Sequence, residues 1–274
     1  MSITRPILVA TDLSARSDRA VDRAFYLAKR SNVPLLVCHV VESGSRLEGD
    51  ADLAVAAVRS VLPDPMADVE ILVCDGSAPE VLLEQAIEHD CGLIVTGVAR
   101  YNHPGDFFIG TAVDRIVREA ASPVLVVKQR SRTDYRTILA ATDFSTCSRH
   151  ALLTAARLFP SADIHLVHAF HVPFEGFLSV DQNLEEFRSQ AQEEFDAFLR
   201  DAAIAAEVRE RISPHLRYGE TQGVVQQLVH EVRTDLVVLG THGRSGISKA
   251  FFGSMAEALL RCVQSDTMVV REPA

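Results

Sequence analysis

The stretch ILVATDLS at residues 7–14 recurs as ILAATDFS at residues 138–145, so the chain repeats one unit. In each copy an aliphatic run ends in Thr-Asp-x-Ser and leads into a segment with helical spacing of apolar residues. Short apolar strands that alternate with helices indicate a parallel sheet covered on both faces. The sequence therefore predicts two doubly wound α/β domains of one design. Further runs match in the same order: 35–41 with 164–170, 93–97 with 236–240, and 124–127 with 267–270.

The length and composition of the chain are consistent with two α/β domains. The chain has 274 residues, enough for two domains of ordinary size, and its net charge of −10 argues against nucleic acid or an anionic membrane as a partner. No segment reaches the roughly 18 apolar residues of a membrane-spanning helix, and the N-terminus shows no signal-peptide pattern. Five single cysteines without a CxxC pair fit a reducing compartment, so we expect a cytoplasmic protein.

The boundary between the copies is predicted in the polar run KQRSRTD at residues 128–134. It places one domain at residues 1–129 and the other at residues 135–274. Two longer helical segments with a polar face are also expected, near residues 50–61 and 183–206. In the second of these, regularly spaced apolar residues indicate a half-buried helix, with a regulatory lid over a ligand as the alternative.

The second copy carries a glycine pattern that suits an anionic ligand. GTHG at residues 240–243 follows a strand, and Gly253-Ser254 opens the next helix. Glycine permits a close backbone approach or positive φ, and a helix N-terminus attracts negative charge. Ligands of open α/β sheets bind beyond the carboxyl ends of the strands, where Asp143 and Gly240 are expected to meet. Asp143 either accepts hydrogen bonds from a ribose or base, or forms an Asx turn or helix cap.

The spacing Gly-x2-Gly-x9-Gly-Ser, together with the strand end ATDFS at residues 141–145, resembles the universal stress protein family. The resemblance covers nearly the whole chain, twice. It implies two Rossmann-like (adenine nucleotide alpha hydrolase-like) domains, each a five-stranded parallel sheet with helices on both faces. It also implies ATP in the second domain, with Mg²⁺ or Mn²⁺ accompanying the phosphates. The expected binding residues are Ala141, Thr142, Asp143, Ala169, Gly240, His242, Gly243, Arg244, Gly253, Ser254 and Met255.

The first copy departs from this pattern at two positions. Arg100 replaces the middle glycine, and Asp106 stands where the second copy has Lys249. A side chain at position 100 prevents close backbone approach, and Asp106 places negative charge near a phosphate. We therefore expect nucleotide binding to be lost or markedly weakened in the first domain. Arg100 pairing directly with phosphate, or a different small anion, is the alternative.

Other candidate sites are given structural interpretations. His165, His168 and His171 are expected to be structural or surface residues, because a strand alternates its faces and no acidic or thiol partner has metal-ligand spacing. The same alternation separates Cys38 from His39 and argues against a nucleophile–base pair. We expect neither catalytic residues nor metal-ligating residues in the protein itself.

These observations favour a stress-response, ATP-binding regulatory or sensor module that acts through an unidentified protein partner, and not an enzyme. A slow ATPase or phosphotransferase that uses His242 or Ser245 is one alternative, and a nucleotide-free structural pseudo-dimer is another. The resemblance also implies that the two halves form an intrachain pseudo-dimer in which strands 124–127 and 267–270 meet edge to edge, and this pairing would satisfy exposed backbone groups. A homodimer of chains is a further option.

Overall fold

A computed structural model of the chain describes residues 3–98, 100–103, 106–108, 110–130, 133–171, 180–243 and 253–272, without the side chains of residues 100–103, 106–108 and 180–183. The first half comprises β1 (Ile7–Ala10), α1 (Asp18–Ser31), β2 (Leu35–Val41), α2 (Ala51–Ser60), β3 (Glu70–Asp75), α3 (Ala78–Glu88), β4 (Leu93–Gly97), β5 (Arg100–His103), β6 (Asp106–Phe108), α4 (Thr111–Glu119) and β7 (Val124–Val127). The second half comprises β8 (Thr137–Ala141), α5 (Thr146–Leu158), β9 (Asp163–Phe170), α6 (Val180–Leu199), α7 (Ala206–Arg209), β10 (Ile212–Tyr218), α8 (Thr221–Glu231), β11 (Leu236–Gly240), α9 (Ser254–Cys262) and β12 (Asp266–Val270).

The strands of both halves form one sheet in the order β10-β9-β8-β11-β12-β7-β4-β1-β2-β3. Within each half every neighbouring pair is parallel, and the order reverses between the first and fourth long strands. The prediction of two five-stranded, doubly wound α/β domains is therefore confirmed. The short antiparallel hairpin of β5 and β6 was not predicted, and it lies in the loop where the first half lacks the middle glycine.

Helix α1 shows how the sequence produces these layers. Its buried residues recur at helical spacing, with Asp18 in the first turn and Lys29 and Arg30 in the last turn, as the helix dipole favours. The helix ends at Asn32, which has a φ of 54°. In the second half, Phe195 of α6 is 1% exposed while much of that helix faces solvent, so the half-buried helix is confirmed. Among the described residues, no helix is long and apolar enough to span a membrane.

The two halves join through antiparallel pairing of β7 with β12, with Leu125 opposite Met268. This confirms the expected meeting of the two terminal strands. Each of these strands also pairs in parallel within its own half, so neither is left as a sheet edge. Residues of both halves, among them Leu125 and Met268, belong to one continuous apolar core.

A cluster of buried charges lies beside this junction. Lys128, which the sequence placed in the polar boundary run, is only 2% exposed. Its Nζ donates to the carbonyl oxygens of Leu260 at 2.7 Å and Val263 at 2.8 Å, which belong to the end of α9. The carboxylate of Asp266 accepts hydrogen bonds from the Lys128 amide at 2.8 Å and from the Tyr135 hydroxyl at 2.6 Å. The polar run at residues 128–134 therefore begins with a residue that is buried in the core.

Candidate functional site

A cleft of about 180 Å³ opens in the second half at the carboxyl ends of β8 and β11, where the strand order reverses. Of the expected site residues, Ser254 is exposed at the first position of α9 and is not part of the cleft wall. Arg244 lies outside the described residues, as do Ser245 and Lys249. The structure brings the other expected residues together in the cleft wall: Ala141, Thr142, Asp143, Ala169, Gly240, His242, Gly243, Gly253 and Met255.

Asp143 has two distinct environments for its two carboxylate oxygens. Oδ1 accepts a hydrogen bond from the amide of Ser145 at 3.1 Å, which makes an Asx turn. The helix cap belongs to Ser145, whose Oγ accepts from the amide of Ser148 at 3.1 Å. Oδ2 lies beside Gly243, because a Cβ added to that glycine would sit 2.7 Å from it. One oxygen therefore shapes the turn while the other lies against the glycine loop.

The glycines of the loop are explained by close approach and not by positive φ. A Cβ on Gly240 would lie 3.0 Å from Sγ and 3.2 Å from the backbone of Cys147, so this glycine lets β11 approach the first turn of α5. Gly253 has a φ of −61°, and its amide donates to the carbonyl of Thr241 at 2.8 Å. Of the two reasons considered from sequence, the structure selects close approach at all three positions, including Gly243.

His168 lines the cleft, although it was expected from the sequence to be a structural or surface residue. Its Nδ1 donates to the carbonyl of Thr142 at 2.8 Å, and its ring stacks on Phe144 at a centroid distance of 4.2 Å. The first half repeats the bond, since Nδ1 of His39 donates to the carbonyl of Thr11 at 2.9 Å. The signal that could have identified His168 was in the sequence, because both repeats carry a histidine near the end of the second strand.

The remaining histidines show no metal centre in the described part of the chain. Nδ1 of His165 lies 2.8 Å from Nε2 of His215, and burial lowers the pKa of both imidazoles. His171 is exposed at the end of β9. No group of three or more potential metal-ligating side chains occurs among the described residues.

The chemistry of the cleft is that of a binding site with apolar walls and few charges. Burial and, to a smaller extent, Arg271 lower the pKa of His242, so its imidazole is neutral at pH 7. Nδ1 of His242 lies 2.8 Å from Oγ1 of Thr241. Among the described wall residues, Asp143 is the one carboxylate. The amides at the N-terminus of α9 begin at Gly253, where the helix dipole favours an anion.

The first half has a cleft in the equivalent place, at the carboxyl ends of β1 and β4. Its volume is about 950 Å³, and Asp12 and Gly97 stand there in the positions of Asp143 and Gly240. The side chains of Arg100 and Asp106, on which the expected loss of nucleotide binding rests, lie outside the described part. Gly110 precedes α4 with a φ of 80°, unlike Gly253.

Comparison with known proteins shows similarity to universal stress proteins in both sequence and fold. The chain is 24% identical to universal stress protein E of Photorhabdus laumondii over 74% of this chain and 69% of that protein. It is 28% identical to universal stress protein A homolog 1 of Coxiella burnetii over 50% of this chain and 96% of that protein. A solved universal stress protein of Archaeoglobus fulgidus shares the fold, with a TM-score of 0.63 at 15% identity over 98% of this chain and 96% of that one.

The family model of the universal stress proteins matches the chain twice, at residues 4–128 and 134–271. These two matches follow the two structural repeats, each with its own cleft at the reversal of strand order. The chain therefore belongs to the universal stress protein family, as a tandem member with two family domains.

Proposed function

We propose that the second half binds an adenine nucleotide, specifically ATP, and that the protein is a regulatory module of the stress response. The observation that carries this proposal is the convergence of the expected residues in one cleft at the reversal of strand order. We also propose a cytoplasmic location and an unidentified partner protein that responds to the bound state. The domain limits at residues 1–129 and 135–274 remain part of the proposal.

The walls of the cleft suit the base and the sugar. Val167, Val225 and Leu259 supply apolar surface for a flat ring, and Oδ2 of Asp143 faces the glycine loop as an acceptor for a ribose hydroxyl. A cleft of about 180 Å³ is smaller than the several hundred Å³ typical of sites for whole ligands. We therefore place the base and sugar inside, and the phosphates at the N-terminus of α9 next to Gly253.

A divalent cation fits this arrangement only as a companion of the nucleotide. Mg²⁺ prefers oxygen ligands in an octahedron and often keeps several waters together with substrate phosphates. Among the described wall residues, Asp143 is the one carboxylate that could contribute. Mg²⁺ or Mn²⁺ would thus be held mainly by the phosphates and by water, and it would supply charge neutralisation at them.

The cleft favours retention of the nucleotide over turnover. A neutral His242 is a weak candidate for polarising a phosphate, and its Nδ1 is engaged with Thr241. His168, the other imidazole among the described wall residues, has its Nδ1 engaged with the Thr142 carbonyl. A slow ATPase or phosphotransferase remains the competing proposal, and a structural pseudo-dimer without nucleotide is the third.

The test compares two glycine substitutions in the full-length chain by isothermal titration with ATP and Mg²⁺. Gly243→Ala places a Cβ 2.7 Å from Oδ2 of Asp143, so we expect at least tenfold weaker binding. Gly223→Ala is the matched control, because its Cβ would meet nothing within 4 Å inside α8, and binding should be unchanged. Equal affinity in both variants would contradict the site, and no binding by the native chain would contradict the function.

Phosphate release measured on the same samples separates the first two proposals. Bound ATP that is recovered intact after many minutes supports a binding module. Sustained release by the native chain that falls in Gly243→Ala would establish the slow ATPase instead.

A further inference from the structure

The cleft of the first half keeps the apolar floor of the cleft in the second half. Each floor combines residues from the second strand of its half, from the helix that precedes the fourth long strand, and from the helix after the glycine loop. In the first half these are Cys38 and Val40 of β2, Leu82 of α3, and Val113 and Ile116 of α4. Cys38 and Ile116 are each 1% exposed and Leu82 is 4% exposed, so the floor is formed by apolar side chains of the core. The first half thus retains a slot for a flat apolar group.

The rim of this cleft differs sharply in charge from its counterpart. Four carboxylates line the cleft, and Arg16 is the one basic residue among its described wall residues. The loop that follows β4 adds one arginine and one aspartate between residues 99 and 109, so it leaves the formal balance unchanged. The carboxylates belong to Asp12, Glu42, Glu48 and Asp75.

Two of these carboxylates accept hydrogen bonds from uncharged groups. Asp12 accepts from the amide and hydroxyl of Ser14 at 3.0 and 2.7 Å, and Glu48 accepts from the amide of Gly44 at 2.7 Å. All three donors are uncharged. Burial acts to raise the pKa of Asp12, but the hydrogen bonds from Ser14, Ser17 and the backbone together outweigh burial and lower it, which favours the ionised carboxylate.

We propose that the first-half cleft binds a ligand of nucleoside size that has a flat apolar body and a positive charge, such as an amine, and that it rejects nucleotides. The apolar floor takes the body, and the carboxylates of the rim attract the cation and repel phosphate. The flat apolar body of the ligand is inferred by comparison with the second half and therefore rests on the proposed function. The positive charge of the ligand is inferred from the carboxylates of the first half alone. This proposal replaces the small anion that the sequence left open for this half.

Three probes that share one base and sugar test the charge directly: 5′-amino-5′-deoxyadenosine, adenosine and AMP. They are titrated into the full-length Gly243→Ala variant, in which the second-half site is weakened, and into the native chain saturated with ATP. We expect the amine to bind on the order of tenfold more tightly than adenosine, with AMP weaker again, and the amine advantage to shrink in high salt.

The double variant Glu42→Gln, Asp75→Asn removes two exposed carboxylates of the rim with little risk to folding. We expect it to lose the amine preference while its affinity for adenosine stays the same. AMP binding as tightly as the amine, or no probe binding at all in either sample, would overturn the proposal. ATP titration of the native chain reports separately on the second half, so failure of one site is distinguishable from failure of the other.

Discussion

Leu125 and Met268 lie opposite each other where β7 and β12 pair, and they occupy equivalent positions in the two repeats. The same offset in sequence separates Lys128 from Arg271 and Gly110 from Gly253. A pseudo-twofold axis therefore passes through the Leu125–Met268 pair. Lys128 donates to carbonyls at the end of α9, and NH1 of Arg271 donates to the carbonyl of Arg118 in α4 at 3.2 Å. Each half thus ends in a cation that caps a helix of the other half, as helix dipoles favour.

The first prediction concerns the apolar centre of this junction. Met268 is fully buried, so Met268→Ala should lower the free energy of unfolding by about 2–5 kcal/mol through lost contacts and a residual cavity. Met66 is 90% exposed, and Met66→Ala should change it by less than about 0.5 kcal/mol. Urea denaturation followed by circular dichroism measures both variants.

The shape of the transition gives a second readout of the Met268 variant. Because the core is continuous across the junction, we expect one transition for both halves in the native chain. A native chain that unfolds in two separate steps, with only the later one shifted in Met268→Ala, would contradict a shared core.

The second prediction uses the two histidines that repeat each other's bond. His168→Ala and His39→Ala each leave a threonine carbonyl without its donor, so each should lower stability by about 1–3 kcal/mol. Only His168 lines the second-half cleft, so only His168→Ala should also weaken ATP binding. Isothermal titration and thermal unfolding of both variants provide the measurements.

Equal loss of ATP binding in the two histidine variants would argue against a role of His168 in the cleft. If His39→Ala weakened ATP binding as much as His168→Ala, the loss would come from general destabilisation. His168→Asn offers a further check, because its side-chain amide can donate to the Thr142 carbonyl and should restore stability more than binding.

The doubly wound parallel sheet of each half and much of the second-half cleft could be predicted, because each signal occurs in both repeats. Asp143 and Gly240 each end a strand, and the topology of a doubly wound sheet brings those ends together. The meeting of β7 and β12 followed from the resemblance to universal stress proteins together with the need to cover sheet edges. These predictions depend on local pattern, on general rules of packing and, for the junction, on the family resemblance, all of which a single sequence displays.

The features that were missed depend on contacts between distant segments. Lys128 stands in a run that looks like a solvated linker, and nothing local shows that two carbonyls of α9 and Asp266 will enclose it. The acidic rim of the first cleft likewise combines loops that are far apart in sequence, from Asp12 to Asp75. The close approach at Gly240 could not be separated from positive φ, because both favour the same residue.

The last prediction concerns the pH dependence of stability that Lys128 produces. Burial, which outweighs the nearby Asp266, lowers the pKa of Lys128 to about 7. In the unfolded chain a lysine keeps its proton up to about pH 10. Above pH 7 the unfolded state therefore binds more protons at this position than the folded state does. Stability should consequently rise with pH through this window, by up to about 1.4 kcal/mol per pH unit.

The measurement is the free energy of unfolding of the native chain minus that of Lys128→Met, determined at intervals from pH 6 to 9. The subtraction removes the contributions of the other titrating groups. The difference should be flat near pH 6, where the buried lysine is protonated in both states, and should rise above pH 7 in favour of the native chain. Lys29→Met, which removes an exposed ammonium from α1, is the matched control and should give a flat difference throughout. A flat curve for Lys128→Met as well would mean that the carbonyls of Leu260 and Val263 hold the ammonium charged across the whole range.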